Sequence, residues 1–465
     1  MRSSWRVERE EWSARSWRAA AAWSSANRGS SGRSHVASRR SLLVGRPRRA
    51  TMSSDQRTTS PRSNVRRVLE ESGAVHGGDD VALREALALL STADAENKRK
   101  NRKLYLLLDL DETLIVAKNL EKEPSHVPVG KPIVVQGRST LRFDLIERPG
   151  LQHFLREVSK LFVVFMYTMG DEAYVRAVLD VIDPHGKNFA GGIACWKESE
   201  GRHHKYIERV VCDRSMALVV DDMMDYWTED MPNFILTRRF VGDHADDGLM
   251  LLYGQLKAVH EAYFKAAAAA ATDEPPAVPR VLAEMRGAVF GGCTIAFTGV
   301  VLDQTEETLV SQPLCKLVRL FGGDVTLDVD RATHLVARQK EGWRGAAKIR
   351  KAIARMAQDP SFVCVWDHWL WDSLAAWKAQ PTDDYALPTS DADEAPAVAA
   401  ASALPPSVTQ RDDSPPAARS EPSDAAGRKR PREAAADNSE PAVYRSMGAV
   451  SAYLKGKQAS SGAGE

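Results

Sequence analysis

Three short and almost continuous apolar runs constrain the fold of this chain most strongly: Leu104–Leu108, Leu161–Tyr167 and Met216–Val220. Apolar runs of this length are typical of strands buried on both faces of a parallel sheet. Helix-length segments lie between them, over Gly150–Lys160 and Asp171–Ile182. This alternation of strands and helices predicts a doubly wound α/β domain.

An irregular segment at 119–147 interrupts that alternation. It contains prolines, glycines and two β-like runs, Ile133–Val135 and Leu141–Ile146, so we predict an inserted β-hairpin. The domain is expected to cover 98–271 and to end with a helix through an alanine run. The Asp-Glu-Pro-Pro sequence that follows predicts a linker over 272–285.

A second, smaller α/β unit is predicted over 286–387. Its short apolar runs predict strands, and the segments between them have helical periodicity and Gly or Pro at their ends. The predicted strands are Thr294–Thr298, Val325–Leu327, His334–Val336 and Phe362–Val365, and the predicted helices are Pro313–Phe321, Ala346–Met356 and Asp367–Lys378.

Both ends of the chain have polar compositions that differ from the rest. Residues 1–97 are predicted to be mostly disordered, with one short helical pattern over Val81–Leu90. The tail at 388–465 is rich in Pro, Ala, Ser and Asp, and it cannot bury enough apolar surface to offset its ordering entropy. It contains the basic cluster 428–432, which is either a nuclear-localisation signal or a solvated charge run.

Composition excludes several classes of protein. The 63 Lys+Arg residues nearly balance 62 Asp+Glu, so we predict no direct nucleic-acid partner. No stretch approaches ~18 consecutive apolar residues, so we expect no membrane-spanning helix and no membrane partner. The five cysteines are widely spaced and form no CxxC pair, as is typical of reduced thiols in an intracellular protein.

Two aspartates, Asp109 and Asp111, stand where the first buried run ends. Ligands bind at the carboxyl ends of strands in open α/β sheets. There Asp109 could attack a phosphorus atom and form an aspartyl-phosphate, while Asp111 could protonate the leaving alkoxide. Two carboxylates and a phosphate dianion repel one another, so the site requires a divalent cation, and Mg²⁺ suits hard oxygen ligands.

Polar groups also follow the other two buried runs. Thr168 could bind phosphoryl oxygens or simply cap the next helix. Asp221 and Asp222 could complete a metal site or be solvated surface charges. Lys205, which precedes the third run, could neutralise phosphate or be an ordinary surface lysine. Three strand ends that carry acid, hydroxyl and acid groups together favour the functional interpretation.

Together these motifs resemble the haloacid dehalogenase superfamily and, more narrowly, the Fcp/Scp phosphatases of the RNA polymerase II C-terminal domain. The matching motifs lie within 103–265 and are Asp109-Leu-Asp111-Glu-Thr113, Tyr167-Thr168-Met169-Gly170, Lys205 and Asp221-Asp222, with support from Glu147-Arg148-Pro149-Gly150. The resemblance implies a haloacid-dehalogenase-like parallel sheet flanked by helices. It also implies Mg²⁺-dependent hydrolysis of phosphoserine by a protein serine/threonine phosphatase.

The resemblance further implies a role for each matching residue. Asp109 would be the nucleophile, and Asp111 would be the general acid and base. Thr168 and Lys205 would bind phosphate, with Arg202 as a candidate second contact. The implied metal ligands are Asp109, the Asp111 carbonyl and Asp222, with Asp221 as a further candidate that would also steady Lys205.

One departure from the family pattern lies near the expected substrate groove. Fcp-type members usually have a Ser-Arg-Asp-like run before the lysine, whereas this chain has Ala-Cys-Trp-Lys-Glu at 194–198. The resemblance therefore does not tell which phosphoserine of the substrate is preferred.

The second unit is similar to a BRCT domain. The similarity rests on the Gly322-Gly323 turn, the Ala-Thr-His-Leu-Val run at 332–336, and Trp369, which we expect to be buried in the core. A phosphatase domain followed by one BRCT domain is the arrangement of Fcp-type enzymes.

A BRCT domain could capture a phosphopeptide. Thr298 and Gly299 would supply a hydroxyl and an N–H, while Lys348 or Lys351 would supply charge. The alternative is a docking module that only packs on the catalytic domain.

These observations predict a nuclear serine phosphatase that acts on the phosphorylated heptad-repeat tail of RNA polymerase II. Transcription factors are possible partners through the BRCT domain or the tail. Two alternatives stay open, namely a phosphatase for another nuclear phosphoprotein and a catalytically weak scaffold that binds phosphopeptides.

Overall fold

The computed structural model describes Arg67 and residues 80–137, 140–196, 204–269, 275–301, 305–340 and 342–388. Several predictions fall outside these residues, namely Arg202, the basic cluster 428–432, and most of both terminal regions. Among the described helices, none combines the length and the apolar character that crossing a membrane would need.

A five-stranded parallel sheet forms the centre of the first module, in the order β6-β5-β1-β7-β8. Its strands are β1 Leu104–Leu108, β5 Phe162–Tyr167, β6 Gly192–Ala194, β7 Ala217–Asp221 and β8 Phe234–Leu236. Strand β1 lies between β5 and β7 and pairs Leu106 with Val164 on one side and with Leu218 on the other. Every residue of β1 is buried, which explains its unbroken apolar run. The predicted α/β fold with a parallel sheet is confirmed.

Helices cover this sheet. They are α1 Asp80–Lys100, α2 Leu151–Leu161, α3 Glu172–Ile182 and α4 Gly248–Ala269. Helix α1 is much longer than the Val81–Leu90 pattern predicted within a mostly disordered region. Its second half is held by tertiary contacts, because Asp94 accepts a hydrogen bond of 2.8 Å from the buried Tyr105 hydroxyl and Arg99 pairs with Asp213 at 3.1 Å.

The inserted segment forms a three-stranded antiparallel sheet in the order β2-β4-β3. Strands β3 Lys131–Gln136 and β4 Thr140–Glu147 are the predicted hairpin. A third strand, β2 Ile115–Asn119, pairs with the other side of β4. The sequence did not reveal β2, because its last residues are polar and its partner lies more than twenty residues further along the chain.

The second module contains a four-stranded parallel sheet in the order β10-β9-β11-β12. Its strands are β9 Thr294–Thr298, β10 Asp324–Thr326, β11 His334–Ala337 and β12 Val363–Trp366, and its helices are α5 Val278–Arg286, α6 Glu306–Ser311, α7 Pro313–Leu320, α8 Ala347–Met356 and α9 Asp367–Ala376. Trp369 on α9 is 1% exposed and stacks on His334, in agreement with its predicted place in the core.

Helix α5 corrects the prediction of a linker over 272–285. It is ordered by burial, because Val278, Val281 and Leu282 pack into an apolar core that both modules share. Its last residue, Arg286, is 1% exposed and donates hydrogen bonds to the backbone carbonyls of Phe234, Met231 and Pro232 in the first module. The prolines at the start of the segment predicted a linker, and the amphipathic pattern of the helix that follows them was missed.

We predict that Arg286→Met lowers the free energy of unfolding by about 2–3 kcal/mol, because it leaves buried carbonyls without donors. Urea unfolding followed by circular dichroism would measure the change. The control is Arg280→Met on the same helix, where the side chain is 82% exposed and pairs only with Glu284. That variant should change stability by less than about 0.5 kcal/mol. Equal effects of the two substitutions would contradict the proposed importance of Arg286.

Candidate active site

The carboxyl edge of the first sheet brings together the polar residues that the sequence placed at strand ends. Asp109 follows β1, Thr168 follows β5, Asp221 ends β7 and Asp222 comes next. Because β1 lies between β5 and β7, their carboxyl ends are neighbours. All four residues have side chains that are at least nine-tenths buried, so this is an interior cluster of charge.

Lys205 lies at the centre of the cluster. Its ammonium donates hydrogen bonds of 2.6 Å to Asp109 Oδ1 and 2.6 Å to Asp221 Oδ2, and the residue is 2% exposed. Burial alone would lower the pKa of Lys205, but the two adjacent carboxylates outweigh burial and raise it. The lysine therefore stays charged. Its backbone N–H donates to the Tyr226 carbonyl, which fixes the start of the side chain.

Three aromatic rings surround the same ammonium. The ring centroids of Tyr167, Tyr226 and Trp227 each lie 5.8 Å from Lys205 Nζ. Rings at this distance attract a cation and exclude water from it. The aromatic residues therefore strengthen the contact between Lys205 and its carboxylate partners.

Both carboxylate oxygens of Asp221 accept hydrogen bonds from protein groups. Oδ2 accepts from Lys205 and from the Trp227 indole at 2.8 Å, and Oδ1 accepts from the Met223 backbone N–H at 2.8 Å. These bonds use both lone pairs of Oδ2 and one of the two on Oδ1. They favour the role of steadying Lys205 over the role of metal ligand.

Asp109 and Asp222 have the properties of cation ligands. Together with Asp221 they place carboxylate oxygens within 4.8 Å of one another. Burial raises the pKa of Asp222 well above its usual range, and the charges of Asp221 and Asp109 raise it further. Asp222 Oδ2 is buried and accepts no hydrogen bond. Lys205 and Arg239, which is also paired with Glu112, cannot balance this many carboxylates, so the donor set fits a hard divalent cation.

Asp111 faces the same edge but has a different environment. Its Oδ2 accepts a hydrogen bond of 3.3 Å from the Thr168 hydroxyl, and its Oδ1 accepts one from the Tyr174 hydroxyl. Burial raises the pKa of Asp111, while the bonds from Tyr174 and Thr168 oppose that shift. A carboxyl group with a raised pKa is suited to donating a proton near neutral pH.

Sequence reasoning missed three residues of the site, Tyr174, Trp227 and Arg239. Tyr174 lies in the first turn of α3, where Asp171 caps the helix by accepting from the Tyr174 N–H at 2.9 Å. Trp227 holds Asp221, and Arg239 forms ion pairs with Glu112 and with Asp222. A helix cap after Thr168 is visible in the sequence, but the target of each side chain depends on tertiary packing.

The predicted phosphopeptide site lies in the second module, at the carboxyl end of β9. Lys348 Nζ donates to the Phe297 carbonyl at 3.1 Å, which places it next to Thr298 and Gly299. Gly299 has a φ of 72°, a conformation that favours glycine. Lys351 instead pairs with aspartates on the β10–β11 connection. Phosphopeptide binding at this place stays a prediction.

Comparison with known protein families matches residues 104–266 to the NLI interacting factor-like phosphatases. These residues are therefore similar to the phosphatase domains of that family. RNA polymerase II C-terminal domain phosphatase-like 4 of Arabidopsis thaliana is 26% identical over 339 residues, which cover 65% of this chain and 74% of that protein. An RNA polymerase II C-terminal domain phosphatase of Schizosaccharomyces pombe is 32% identical over 173 residues, which cover 34% of this chain and only 24% of that protein.

The similarity to solved structures extends beyond the phosphatase domain. Fcp1, described as an essential RNA polymerase II CTD phosphatase, aligns with a TM-score of 0.55 at 25% identity, over 64% of this chain and 99% of that one. Fission yeast Fcp1-R271A bound to beryllium fluoride aligns with a TM-score of 0.56 at 24% identity, over 64% of this chain and 100% of that one. The fold of this chain is therefore similar to that of the two solved structures over more than residues 104–266.

We predict that Mg²⁺ raises the thermal unfolding temperature more near pH 8 than near pH 5. Burial and the charge of Asp221 raise the pKa of Asp109 to about 7 from 3.8, and the pKa of Asp222 is raised as well. Because these pKa values are higher in the folded state than in the unfolded state, the folded protein keeps these carboxyl groups protonated at low pH. As the pH rises they become charged and repel one another, which lowers the free energy of unfolding. Mg²⁺ then relieves the repulsion, whereas at low pH it must displace protons.

Differential scanning fluorimetry with and without Mg²⁺ would measure this dependence. A tenfold excess of Mg²⁺ over its dissociation constant should stabilise the protein by about 1.4 kcal/mol. Asp222→Asn should remove most of that gain. A gain of the same size at both pH values, or in the Asp222→Asn variant, would contradict the assignment of these carboxylates.

Proposed function

We propose that this protein is a Mg²⁺-dependent protein serine phosphatase that dephosphorylates the heptad-repeat tail of RNA polymerase II. The observation that supports the chemistry best is the position of Asp109. Its carboxylate follows the central strand, is held by Lys205 at 2.6 Å and lies beside the open oxygen of Asp222. A buried carboxylate held this rigidly can act as a nucleophile with little reorganisation.

In the first step a carboxylate oxygen of Asp109 attacks the phosphorus of phosphoserine. The new bond joins Asp109 to phosphorus, and the bond from phosphorus to the serine oxygen breaks. Asp111 gives its proton to that oxygen, so serine leaves as the neutral alcohol. The Lys205 ammonium would bind the phosphoryl oxygens while charge builds on them, and the Thr168 hydroxyl would turn from Asp111 to do the same.

In the second step water attacks the phosphorus of the aspartyl-phosphate. Asp111, which is now a carboxylate, takes a proton from the water. The bond between Asp109 and phosphorus breaks, phosphate leaves and the carboxylate of Asp109 is restored. The hydrogen bond from Tyr174 would hold Asp111 in one place for both proton transfers.

The residues that would hold Mg²⁺ are Asp109, Asp222 and the carbonyl of Asp111. When bound, the cation would neutralise the carboxylates and the phosphate dianion and so allow them to approach each other. Asp221 would keep Lys205 oriented rather than bind the metal.

The proposed substrate rests on the relatives. Two of them are named as phosphatases of the RNA polymerase II C-terminal domain, in Arabidopsis thaliana and in fission yeast. Because this chain spans only 24% of the fission yeast relative and 48% of the Caenorhabditis elegans one, the substrate is carried over as part of the proposal. Action on this polymerase implies a nuclear location, and transcription factors are the proposed partners of the second module or the tail.

A phosphopeptide-binding scaffold without turnover is the alternative function. It would not need a nucleophile held by lysine or an acid held by two hydroxyl groups. Because Asp109, Asp111, Thr168 and Lys205 are all in place, we favour the enzyme.

We predict that the purified protein hydrolyses a small aryl phosphate in Mg²⁺ and loses this activity in EDTA. Asp109→Asn should lower kcat by about three orders of magnitude or more, because the amide is not a nucleophile. The matched control is Asp94→Asn, which changes another buried aspartate in contact with Tyr105. It should keep ordinary kcat. Ordinary rates from the Asp109→Asn protein would exclude Asp109 as the nucleophile.

Beryllium fluoride provides a second test of the covalent step, since it mimics a phosphoryl group on a carboxylate. Fission yeast Fcp1-R271A has been solved with beryllium fluoride bound. We expect beryllium fluoride to inhibit the present protein when Mg²⁺ is bound and to protect the protein against thermal unfolding. The Asp109→Asn variant should gain no protection, and protection of that variant would argue against an adduct on Asp109.

Heptad-repeat peptides that carry a single phosphate at each serine in turn would test the substrate. Turnover with a higher kcat/KM than for unrelated phosphoserine peptides supports the polymerase tail. Equal kcat/KM for both sets would favour another nuclear phosphoprotein. Tight binding with no turnover on any peptide would favour the scaffold.

A further inference from the structure

Glu112 has an unusual backbone conformation beside the proposed metal site. Its φ is 61°, and among the described residues only Arg102 and Trp377 share a positive φ without being glycine. Side chains other than that of glycine rarely adopt this left-handed region, because the Cβ atom crowds the following carbonyl. The surrounding structure must therefore hold Glu112 in place.

The conformation of Glu112 matters because of the peptide unit before it. That unit carries the carbonyl of Asp111, which is one of the oxygens proposed for Mg²⁺. Rotation about φ of Glu112 turns this peptide plane and so changes the direction of the Asp111 carbonyl. If the backbone of Glu112 could change conformation, the direction of the Asp111 carbonyl would vary with it.

Two contacts with one neighbouring segment hold Glu112. Its carbonyl accepts a hydrogen bond of 2.7 Å from the Phe240 N–H, and its carboxylate forms an ion pair with the guanidinium of Arg239. The Glu112 N–H also donates to the Ile115 carbonyl at 2.7 Å, which closes a tight turn. Backbone and side chain of Glu112 are thus both tied to residues 239–240.

Arg239 is well placed for this task. It follows β8, whose carboxyl end lies next to that of β7, and its side chain is 6% exposed. Arg239 Nε also lies 3.7 Å from Asp222 Oδ2, which is too far for a hydrogen bond and leaves that oxygen open for a metal. Arg239 therefore lies between the turn at Glu112 and a proposed metal ligand.

We propose that Arg239 is a positioning residue that holds Glu112 in its left-handed conformation and thereby directs the Asp111 carbonyl towards the metal. This inference rests on the metal site in the proposed function. Arg239 does not contact substrate or metal in this role. It acts through the backbone of the catalytic turn.

Two substitutions of Glu112 separate the backbone effect from the charge effect. E112A and E112G both remove the carboxylate and its ion pair, but only glycine adopts a positive φ at little cost. Mn²⁺ would serve as a paramagnetic stand-in for Mg²⁺, and its binding to the whole protein would be followed by electron paramagnetic resonance. We expect E112A to bind Mn²⁺ about tenfold more weakly than E112G. Equal affinities would overturn the proposal.

Arg239 itself is tested in the two backgrounds. R239A should weaken Mn²⁺ binding about tenfold in the natural sequence and by less than about twofold in the E112G background, where no left-handed side chain needs holding. Equal losses in both backgrounds, or tighter Mn²⁺ binding from the removal of a cation near Asp222, would overturn the proposal. If R239A does not fold, R239Q and the E112A/E112G pair decide the question.

The adjacent Arg238 provides the control. Its side chain is 42% exposed and pairs with Asp247 and Asp372 rather than with Glu112. R238A should leave Mn²⁺ affinity within about twofold, and a tenfold loss would show that the segment as a whole, not Arg239, is responsible. A natural protein that binds no Mn²⁺ would overturn the proposed metal site and this inference together. If the natural protein binds Mn²⁺ but E112A and E112G bind it with equal affinity, only this inference would be overturned.

Discussion

The buried ammonium of Lys205 is the interaction on which the rest of the site depends. A charged lysine at 2% exposure is stable only if carboxylates surround it, and Asp109 and Asp221 do so at 2.6 Å each. The same carboxylates could not lie so close together without the lysine. Burial keeps water away, so each charge acts strongly on its neighbours. Asp222 keeps one carboxylate oxygen that accepts no hydrogen bond, since Arg239 lies 3.7 Å away from it, and this oxygen makes the site suitable for a divalent cation.

Around this centre the chain supports each charged group through a different element. Trp227 donates to Asp221, and Thr237 after β8 donates its N–H to the Asp221 carbonyl at 3.1 Å. The second module reaches the same region, because Arg286 binds the carbonyl at the start of β8 and Arg238 pairs with Asp372 on α9. The two modules share one apolar core, so they form a continuous support for the catalytic edge.

Much of the fold could be predicted because burial leaves a direct trace in the sequence. Strands β1, β5 and β7 are buried on both faces, and their apolar runs predicted them with nearly correct ends. Strand β2 and helix α5 could not be predicted in this way. Strand β2 gains its stability from pairing with a distant strand, and α5 is ordered by packing into the apolar core that both modules share. Local composition carries no record of such partners.

The sequence by itself determined that Asp109, Thr168 and Asp221 stand at the ends of buried strands, and parallel strand order then made them neighbours. Only the tertiary structure decided which atoms meet. In the folded protein Lys205 binds two carboxylates, Tyr174 donates to Asp111, and Arg239 pairs with Glu112 in the turn after β1. The physical reason is that strand position follows from periodicity and burial, which are local properties. Hydrogen bonds between distant side chains instead depend on loop paths and rotamers, which packing selects only once the whole fold has formed.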